Sequence, residues 1–363
     1  MKVACLTGNG VSIAYSDALT ISSLTEGVVE SFSDLADTPA GNALKAFAAQ
    51  VTGHERDDFE ELLGPLDTIT QALPMLGGLA APFQSVAWIA DPLSAASEAL
   101  RRLHRMGVAA ALDLIAHRAY NQGGQALNNG AGALVSSLDA ICGDDGYTIA
   151  TLNYDGLIQA ALDDTKYSDL AQGWADYDVN LFGATCRCWP LRATAGFHPD
   201  RPNRLIHLHG SLGWLKLPDG AFGKMMIDDL RSMDFWKQLK DSDEDIWPLV
   251  VLTDRKEPVV STPPFSIAYE AFRQSLVAMD HWGIAGYSFY DAPVNRLLAE
   301  AQIARVQLGL DPPKVVVLGR GDPAAMRADI AQRLGTNVDA FFIDGSGLPT
   351  GLTSDAWNDW RNS

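Results

Sequence analysis

Short apolar runs separated by helix-forming stretches are the feature that most constrains the fold of this chain. A strand buried on both faces reads as a continuous apolar run, whereas a strand with one wet face alternates apolar and polar residues. Apolar residues at helical spacing follow some of these runs, as between Phe265 and Met279 and between Pro323 and Leu334. The pattern predicts an α/β fold with a mostly parallel sheet covered by helices on both faces. The runs are Val3–Thr7, Tyr147–Leu152, Arg204–Leu208, Trp247–Leu252, Trp282–Gly286, Lys314–Gly319 and Val338–Ile343.

The stretches between the apolar runs differ in character along the chain. Residues 42–144 are rich in helix formers with few strand patterns, which predicts a large helical insertion. Residues 163–200 carry scattered aromatic and turn residues and are expected to form a loop-rich excursion, and residues 217–245 predict a charged surface helix. We therefore expect a discontinuous α/β domain over 1–41 and 145–350, a helical insertion over 42–144, and a tail over 351–363 with no assigned role.

Polar side chains follow three of the apolar runs. Asn153 and Asp155 come directly after the second run, His209 follows the third, and the first run leads into the turn Gly8-Asn9-Gly10 with Ser12 behind it. In open α/β sheets, ligands bind beyond the carboxyl ends of the strands. A glycine turn that opens a helix can also hold a diphosphate through backbone N–H groups. These residues are therefore the candidates for a ligand site.

Each of these features also has a structural interpretation. The glycine turn lacks the third glycine of the dinucleotide fingerprint, because Ile13 stands there, and Ser12 could be a helix N-cap. Asp155 could equally cap the helix that follows it. His207 and His209 share a face of the strand and could in principle bind a metal, but no carboxylate or thiol at ligand spacing completes a site. We expect no metal.

Composition limits the classes of partner. The formal net charge of -18, from 27 Lys+Arg against 45 Asp+Glu, argues against direct binding of nucleic acid or of acidic membrane surfaces. Cys5, Cys142, Cys186 and Cys188 do not show the paired spacing of a structural zinc site. The longest apolar passage, residues 72–90, is interrupted by prolines, and no signal-peptide pattern is present. We therefore expect a cytoplasmic protein without a membrane anchor.

Four short motifs occur in a fixed order along the chain: G-N-G-V-S (Gly8–Ser12), T-L-N-Y-D (Thr151–Asp155), L-H-G-S-L-G-W (Leu208–Trp214) and G-Y-S-F-Y-D (Gly286–Asp291). Together they resemble the sirtuin-like superfamily, and more closely the sirtuin-like domains of bacterial anti-phage defence proteins. The resemblance implies a Rossmann-like sheet with helical insertions. It also implies that Asn153 and His209 are the catalytic pair, with Asp155 on the nicotinamide side. The NAD-binding residues that it implies are Gly8, Asn9, Gly10, Ser12, Gly210, Gly286, Ser288 and Asn295.

The chain departs from protein-deacetylating sirtuins in two parts that serve acyl-lysine chemistry. Ile13-Ala14-Tyr15-Ser16-Asp17 stands where that family has G-I-P-D-F-R, and the four-cysteine zinc module is missing from the sequence. We therefore expect an NAD glycohydrolase that takes NAD as substrate, releases nicotinamide and ADP-ribose, and depletes NAD as the effector of an anti-phage abortive-infection system. The expected partners are further copies of the chain or a HerA-type ATPase. The alternatives are an NAD- or ADP-ribose-binding regulatory module without turnover, and a zinc-free protein deacylase.

Overall fold

The computed structural model describes residues 1–33, 42, 46, 59–80, 82–83, 87–120, 130–171, 176–242, 244–253 and 256–363. Its strands are β1 Val3–Thr7, β2 Tyr147–Thr151, β3 Tyr167–Ser168, β4 Tyr177–Leu181, β5 Ala184–Pro190, β6 Asn203–His207, β7 Gly210–Lys216, β8 Phe222–Met225, β9 Trp247–Val250, β10 His281–Ala285, β11 Lys314–Leu318 and β12 Phe342–Asp344. Within the described residues, seven of them form the main sheet in the order β12-β11-β10-β1-β2-β6-β3. All neighbouring pairs in this sheet are parallel, as the apolar runs predict.

Helices occupy much of the remaining described chain. In chain order they are α1 Asn9–Tyr15, α2 Ile21–Ser33, α3 Phe59–Ala80, α4 Ala90–Tyr120, α5 Ala131–Cys142, α6 Leu157–Ala161, α7 Ile227–Ser232, α8 Phe235–Asp241, α9 Lys256–Val260, α10 Phe265–Ala278, α11 Ala292–Gln307, α12 Pro323–Leu334 and α13 Asp355–Asn362. The described part of the predicted insertion is largely helical, in α3, α4 and α5, while residues 43–45, 47–58, 81, 84–86 and 121–129 of that prediction lie outside the described residues. No helix among the described residues is long and apolar enough to cross a membrane.

Helices cover both faces of the main sheet. Successive residues of each strand point to opposite faces, so each strand contributes side chains to two cores. In β1, Val3 and Cys5 belong to one core cluster, whereas Ala4 and Leu6 belong to another. The first cluster takes buried residues from α1, α4, α5 and α13, and the second from α10, α11 and α12. The predicted fold class, an α/β sheet with helices on both faces and a large helical segment, is therefore confirmed.

A second sheet corrects the prediction for the middle of the chain. It is antiparallel, with the order β4-β5-β8-β7-β9. The described part of residues 163–200 contains β3, β4 and β5, so the prediction of a loop-rich excursion is wrong. Residues 172–175 lie outside the described residues. Trp247–Leu252 is not a strand of the parallel sheet, and 217–245 contains β8 as well as α7 and α8. The reason is visible in β5, whose burial alternates along the strand and so leaves no continuous apolar run.

The C-terminal tail, to which the sequence pattern assigns no role, packs against the edge of the main sheet. Trp357 and Trp360 of α13 are buried with ring centroids 4.8 Å apart. Trp360 Nε1 donates to the carbonyl of Lys314 in β11 at 2.9 Å. Residues 351–363 therefore belong to the layers of this fold.

We predict that Trp360→Ala lowers the free energy of unfolding by about 3–5 kcal/mol, because it removes a fully buried indole and leaves a cavity. Urea unfolding followed by circular dichroism measures the change. Leu308→Ala is the control, since Leu308 is 66% exposed, and its effect should stay within about 0.5 kcal/mol. Equal effects of the two substitutions would contradict the packing of α13 on the sheet.

Candidate functional site

A cavity of about 640 Å³ opens at the carboxyl ends of β1, β2, β10 and β11. From β1 the chain continues to β2 on one side of the sheet and later returns to β10 on the other side. Ligand sites of open α/β sheets lie at such a change of strand direction, and the volume is within the range of roughly 300–1,000 Å³ typical of small-molecule pockets. Glu60 of α3 and Ile115 of α4 also line the cavity, so the helical segment forms part of its wall.

The glycine turn after β1 packs backbone to backbone against the turn after β10. Gly8 N–H donates to the carbonyl of Ala285 at 3.0 Å, and Gly10 N–H donates to the carbonyl of Gly286 at 2.9 Å. A Cβ on Gly10 would lie 2.6 Å from Gly286 Cα, so a side chain there has no room. Glycine is thus required at these positions for the contact between the two turns, whether or not a phosphate binds above them.

Asn153 is fixed on the cavity wall by its amide nitrogen. Its Nδ2 donates to the carbonyl of Gly8 at 3.0 Å and to Ser12 Oγ at 2.7 Å. Ser12 Oγ donates to Asp155 Oδ2, and Asp155 Oδ1 accepts the N–H of Leu157, the first residue of α6, at 2.9 Å. Burial raises the pKa of Asp155, against the effect of these two hydrogen bonds. Among the described contacts, Oδ1 of Asn153 is the polar side-chain atom left to meet a ligand.

His209 lines the same cavity and is only 3% exposed. Its Nε2 lies 3.3 Å from Asp291 Oδ2 and 3.4 Å from the hydroxyl of Tyr269. Asp291 Oδ1 accepts the N–H of Val294 at 3.0 Å and so caps α11. The carboxylate of Asp291 therefore caps α11 with one oxygen and contacts the imidazole of His209 with the other. The sequence pattern does not predict the contact between these two residues.

Lys256 joins this carboxylate to a second one. Its Nζ lies 3.2 Å from Asp291 Oδ2 and 2.9 Å from Glu60 Oε2. Burial opposes the charge on each partner, but the hydrogen bond and charge of His209 and the charge of Lys256 bring the pKa of Asp291 well below its usual range. Burial likewise works against the charge of Lys256, yet the two carboxylates raise its pKa. Lys256 and Glu60 line the cavity and Tyr269 contacts His209, but none of the three belongs to a motif, because they come from distant parts of the chain.

The structure brings most of the predicted site residues to the cavity. Ser12, Gly210 and Asn295 lie outside its described lining. Asn295 donates to the carbonyl of Phe289 at 2.7 Å and accepts the hydroxyl of Tyr287 at 2.8 Å, so it shapes the turn after β10. Gly210 has φ +83°, and a Cβ there would meet the backbone of β9. The predicted residues that line the cavity are Gly8, Asn9, Gly10, Asn153, Asp155, His209, Gly286 and Ser288.

Among the described residues, no three His, Cys, Asp or Glu side chains come together as a group that could hold a metal ion. His207 is buried with its ring 5.7 Å from that of Trp214, and burial lowers the pKa of His207 to about 3. Its ring packs against Trp214 and is not part of the described lining of the cavity. The four cysteines are free and buried, and burial raises the pKa of Cys5 and of Cys142 to about 12.

Comparisons with known proteins find likeness among solved structures. No family model matches the chain. No curated protein sequence matches it. Among solved structures, one of Sir2Tm bound to a propionylated peptide is similar, with 14% sequence identity over 88% of this chain and 81% of that chain and a TM-score of 0.33. A likeness of this size does not assign the chain to a family.

We predict that Gly286→Ala destabilises the protein by at least about 1 kcal/mol more than Gly309→Ala. Both glycines have positive φ, +63° and +72°, so both substitutions carry the same backbone cost. Only at Gly286 would the new Cβ lie 2.6 Å from Val11 N, whereas nothing lies within 4 Å at Gly309. Urea unfolding of both variants measures the difference. Equal losses would show that the two turns are not in contact.

Proposed function

We propose that the protein is an NAD glycohydrolase that releases nicotinamide and ADP-ribose. The observation that carries this proposal is that Asn153 and His209 line one cavity, beside the glycine turn, where the strand order changes direction. The four ordered motifs of the sequence support the same choice of substrate. The arrangement offers an amide oxygen, an imidazole and a nearby carboxylate within a partly apolar pocket. Cleavage of the bond between nicotinamide and ribose requires such groups to orient the ribose and to stabilise positive charge on it.

The proposed reaction breaks the bond between the nicotinamide nitrogen and C1′ of the ribose. The electron pair of that bond goes to the nicotinamide ring, which leaves as a neutral molecule. The oxygen of one water forms the new bond to C1′, and the proton of this water passes to His209 and then to solvent. Because the leaving group needs no protonation, catalysis depends on orientation and on stabilising an oxocarbenium-like centre.

The roles of the side chains follow from their contacts. Asn153 Oδ1 accepts a hydroxyl of the nicotinamide ribose, since its Nδ2 is already held by Gly8 and Ser12. His209 Nε2 faces Asp291, so the other ring nitrogen, Nδ1, takes the proton from water. The charged carboxylate of Asp291 adds negative potential beside the cationic sugar.

The remainder of NAD extends along the strand ends in this proposal. The diphosphate lies over the glycine turn near Asn9, and the adenosine end lies at Gly286 and Ser288. Ser12 acts through Asn153, which it holds, and Asn295 acts through the turn that it shapes. Asp155 contributes mainly by fixing Ser12 and the first N–H of α6.

We predict that Asn153→Ala and His209→Ala each reduce nicotinamide release by about 100-fold or more. The assay follows nicotinamide from NAD by chromatography, with and without lysate of phage-infected cells as a source of activator. His198→Ala is the matched control, because His198 also faces an aspartate, Asp200, but does not line the cavity. Full activity of the two site variants would overturn the assignment.

Two further assays separate the alternatives. Calorimetry with NAD and ADP-ribose shows whether the cavity binds nucleotide without turnover, which is the outcome for a regulatory module. An acetylated or propionylated peptide tests for NAD-dependent removal of the acyl group. Nucleotide binding without product in the presence of activator would replace the glycohydrolase by the binding module.

We further propose a cellular role as the effector of a bacterial anti-phage system, in which activation depletes NAD. This rests on the resemblance of the four motifs and on the surface of the helical segment. Large apolar side chains are exposed on α3 and on the stretch that follows it, and such a cluster marks a protein contact. The partner is a further copy of the chain or a HerA-type ATPase. These side chains are Ile69, Met75, Leu76, Leu79, Phe83 and Trp88.

We predict that the combined substitution Met75→Asp and Leu79→Asp abolishes self-association, because it places charge in this apolar cluster. Light scattering coupled to gel filtration should give a multiple of 39.0 kDa for the wild type and 39.0 kDa for the variant. Ile303→Asp with Val306→Asp is the control, since both residues are exposed on α11, away from the cluster. A monomeric wild type would leave the ATPase as the partner to be tested by co-purification.

A further inference from the structure

We infer that Lys256 is a positioning residue that balances the charge of Asp291 and thereby sets the electrostatic environment in which His209 accepts a proton. The inference rests on the proposed function for its kinetic readout. Lys256 does not belong to any of the four sequence motifs. It enters the cavity from α9, whereas Asp291 comes from the start of α11 and His209 from the end of β6.

A continuous ladder of charged contacts connects α3 to the imidazole. Glu60 Oε2 lies 2.9 Å from Lys256 Nζ, which lies 3.2 Å from Asp291 Oδ2, which lies 3.3 Å from His209 Nε2. The side chains of Lys256 and Glu60 are 19% exposed, and those of Asp291 and His209 are 6% and 4% exposed. Because these pairs are largely removed from water, their charges act on one another with little screening.

The far end of the ladder is anchored as well. The hydroxyl of Tyr154 lies 2.8 Å from Glu60 Oε1 and 2.7 Å from the carbonyl of Val251. Tyr154 is the residue between Asn153 and Asp155, so the ladder starts and ends at the same cavity. The ammonium group of Lys256 is therefore fixed between the carboxylates of Glu60 and Asp291.

The charged and titratable side chains described around His209 come from three helices. Asp291 and Lys256 approach from α11 and α9, and Tyr269 approaches from α10 at 3.4 Å. Beyond Tyr269, Glu257 and Arg296 form an ion pair with each other. Asp291 is thus the carboxylate in direct contact with the imidazole, and Lys256 is the cation that balances it.

The sign of the effect follows from these charges. A carboxylate next to an imidazole favours its protonated form, and a cation next to that carboxylate opposes this. Removal of Lys256 leaves Asp291 unbalanced, so protonated His209 is stabilised and the acidic limb of the pH–rate profile moves to higher pH. Removal of the charge on Asp291 leaves the ammonium facing His209, so the same limb moves to lower pH. A purely structural lysine would lower stability without moving the limb.

The test compares Lys256→Met and Asp291→Asn with the wild type. We expect the acidic limb of nicotinamide release to move up by about one pH unit in the first variant and down by about one unit in the second. Lys256→Arg keeps the positive charge and should restore the wild-type profile. Lys240→Met is the matched control, because Lys240 is 16% exposed and pairs with Asp113 at 2.9 Å outside the cavity.

A second readout does not depend on turnover. Nitrogen-15 NMR of the histidine rings follows the protonation of His209 against pH in the resting protein, with His209→Gln to assign its signals. The midpoint should rise in Lys256→Met and fall in Asp291→Asn. An unchanged midpoint in folded Lys256→Met overturns the inference. A midpoint that moves as expected, in a protein that releases no nicotinamide with activator present, overturns the proposed function and leaves the role of Lys256 standing.

Discussion

The close contact between the turns that follow β1 and β10 is the constraint on which the rest of the site depends. Hydrogen bonds between neighbouring strands continue past the strand ends, from Gly8 N–H to the carbonyl of Ala285 and from Gly286 N–H to the carbonyl of Leu318. The strand ends therefore stop at one level, and the residues after them are free to turn into the cavity. Asn153 is tied to the same level by its bond to the carbonyl of Gly8. A side chain on Gly10 or Gly286 would separate the turns and displace all of these groups.

The surroundings of the two buried carboxylates in the cavity, Asp155 and Asp291, shift their pKa values in opposite directions. Burial raises the pKa of Asp155, whereas His209 and Lys256 hold the pKa of Asp291 well below its usual range despite burial. Carboxylates whose environments move their pKa values in opposite directions serve different roles. Asp291 is the charged member beside the imidazole. Asp155 is the member that braces Ser12 and α6, which favours the structural interpretation of that residue.

The parts of the fold and site that depend on a local sequence pattern could be predicted from the sequence. Strands buried on both faces are continuous apolar runs, and Asn153 and His209 could be found because polar residues follow such strands at the sheet's ligand-binding edge. The antiparallel sheet could not be found in this way, because β4 is mostly exposed and β5 alternates between buried and exposed residues, so neither is a continuous apolar run. The strand expected at Val338–Ile343 begins only at Phe342, after a turn closed by Phe341 N–H and the carbonyl of Val338.

The ion-pair ladder shows why the remaining site residues carry no sequence signal. Glu60 and Lys256 are almost two hundred positions apart, and only the packing of α3 and α9 around the cavity joins them. The predicted boundary between helical insertion and α/β domain separates Glu60 from the other members, yet all of them line one cavity. A displacement of α3 would therefore remove one of the two carboxylates that fix Lys256, and the balance of charge at His209 would change with it. In this fold the helical segment is electrostatically part of the site.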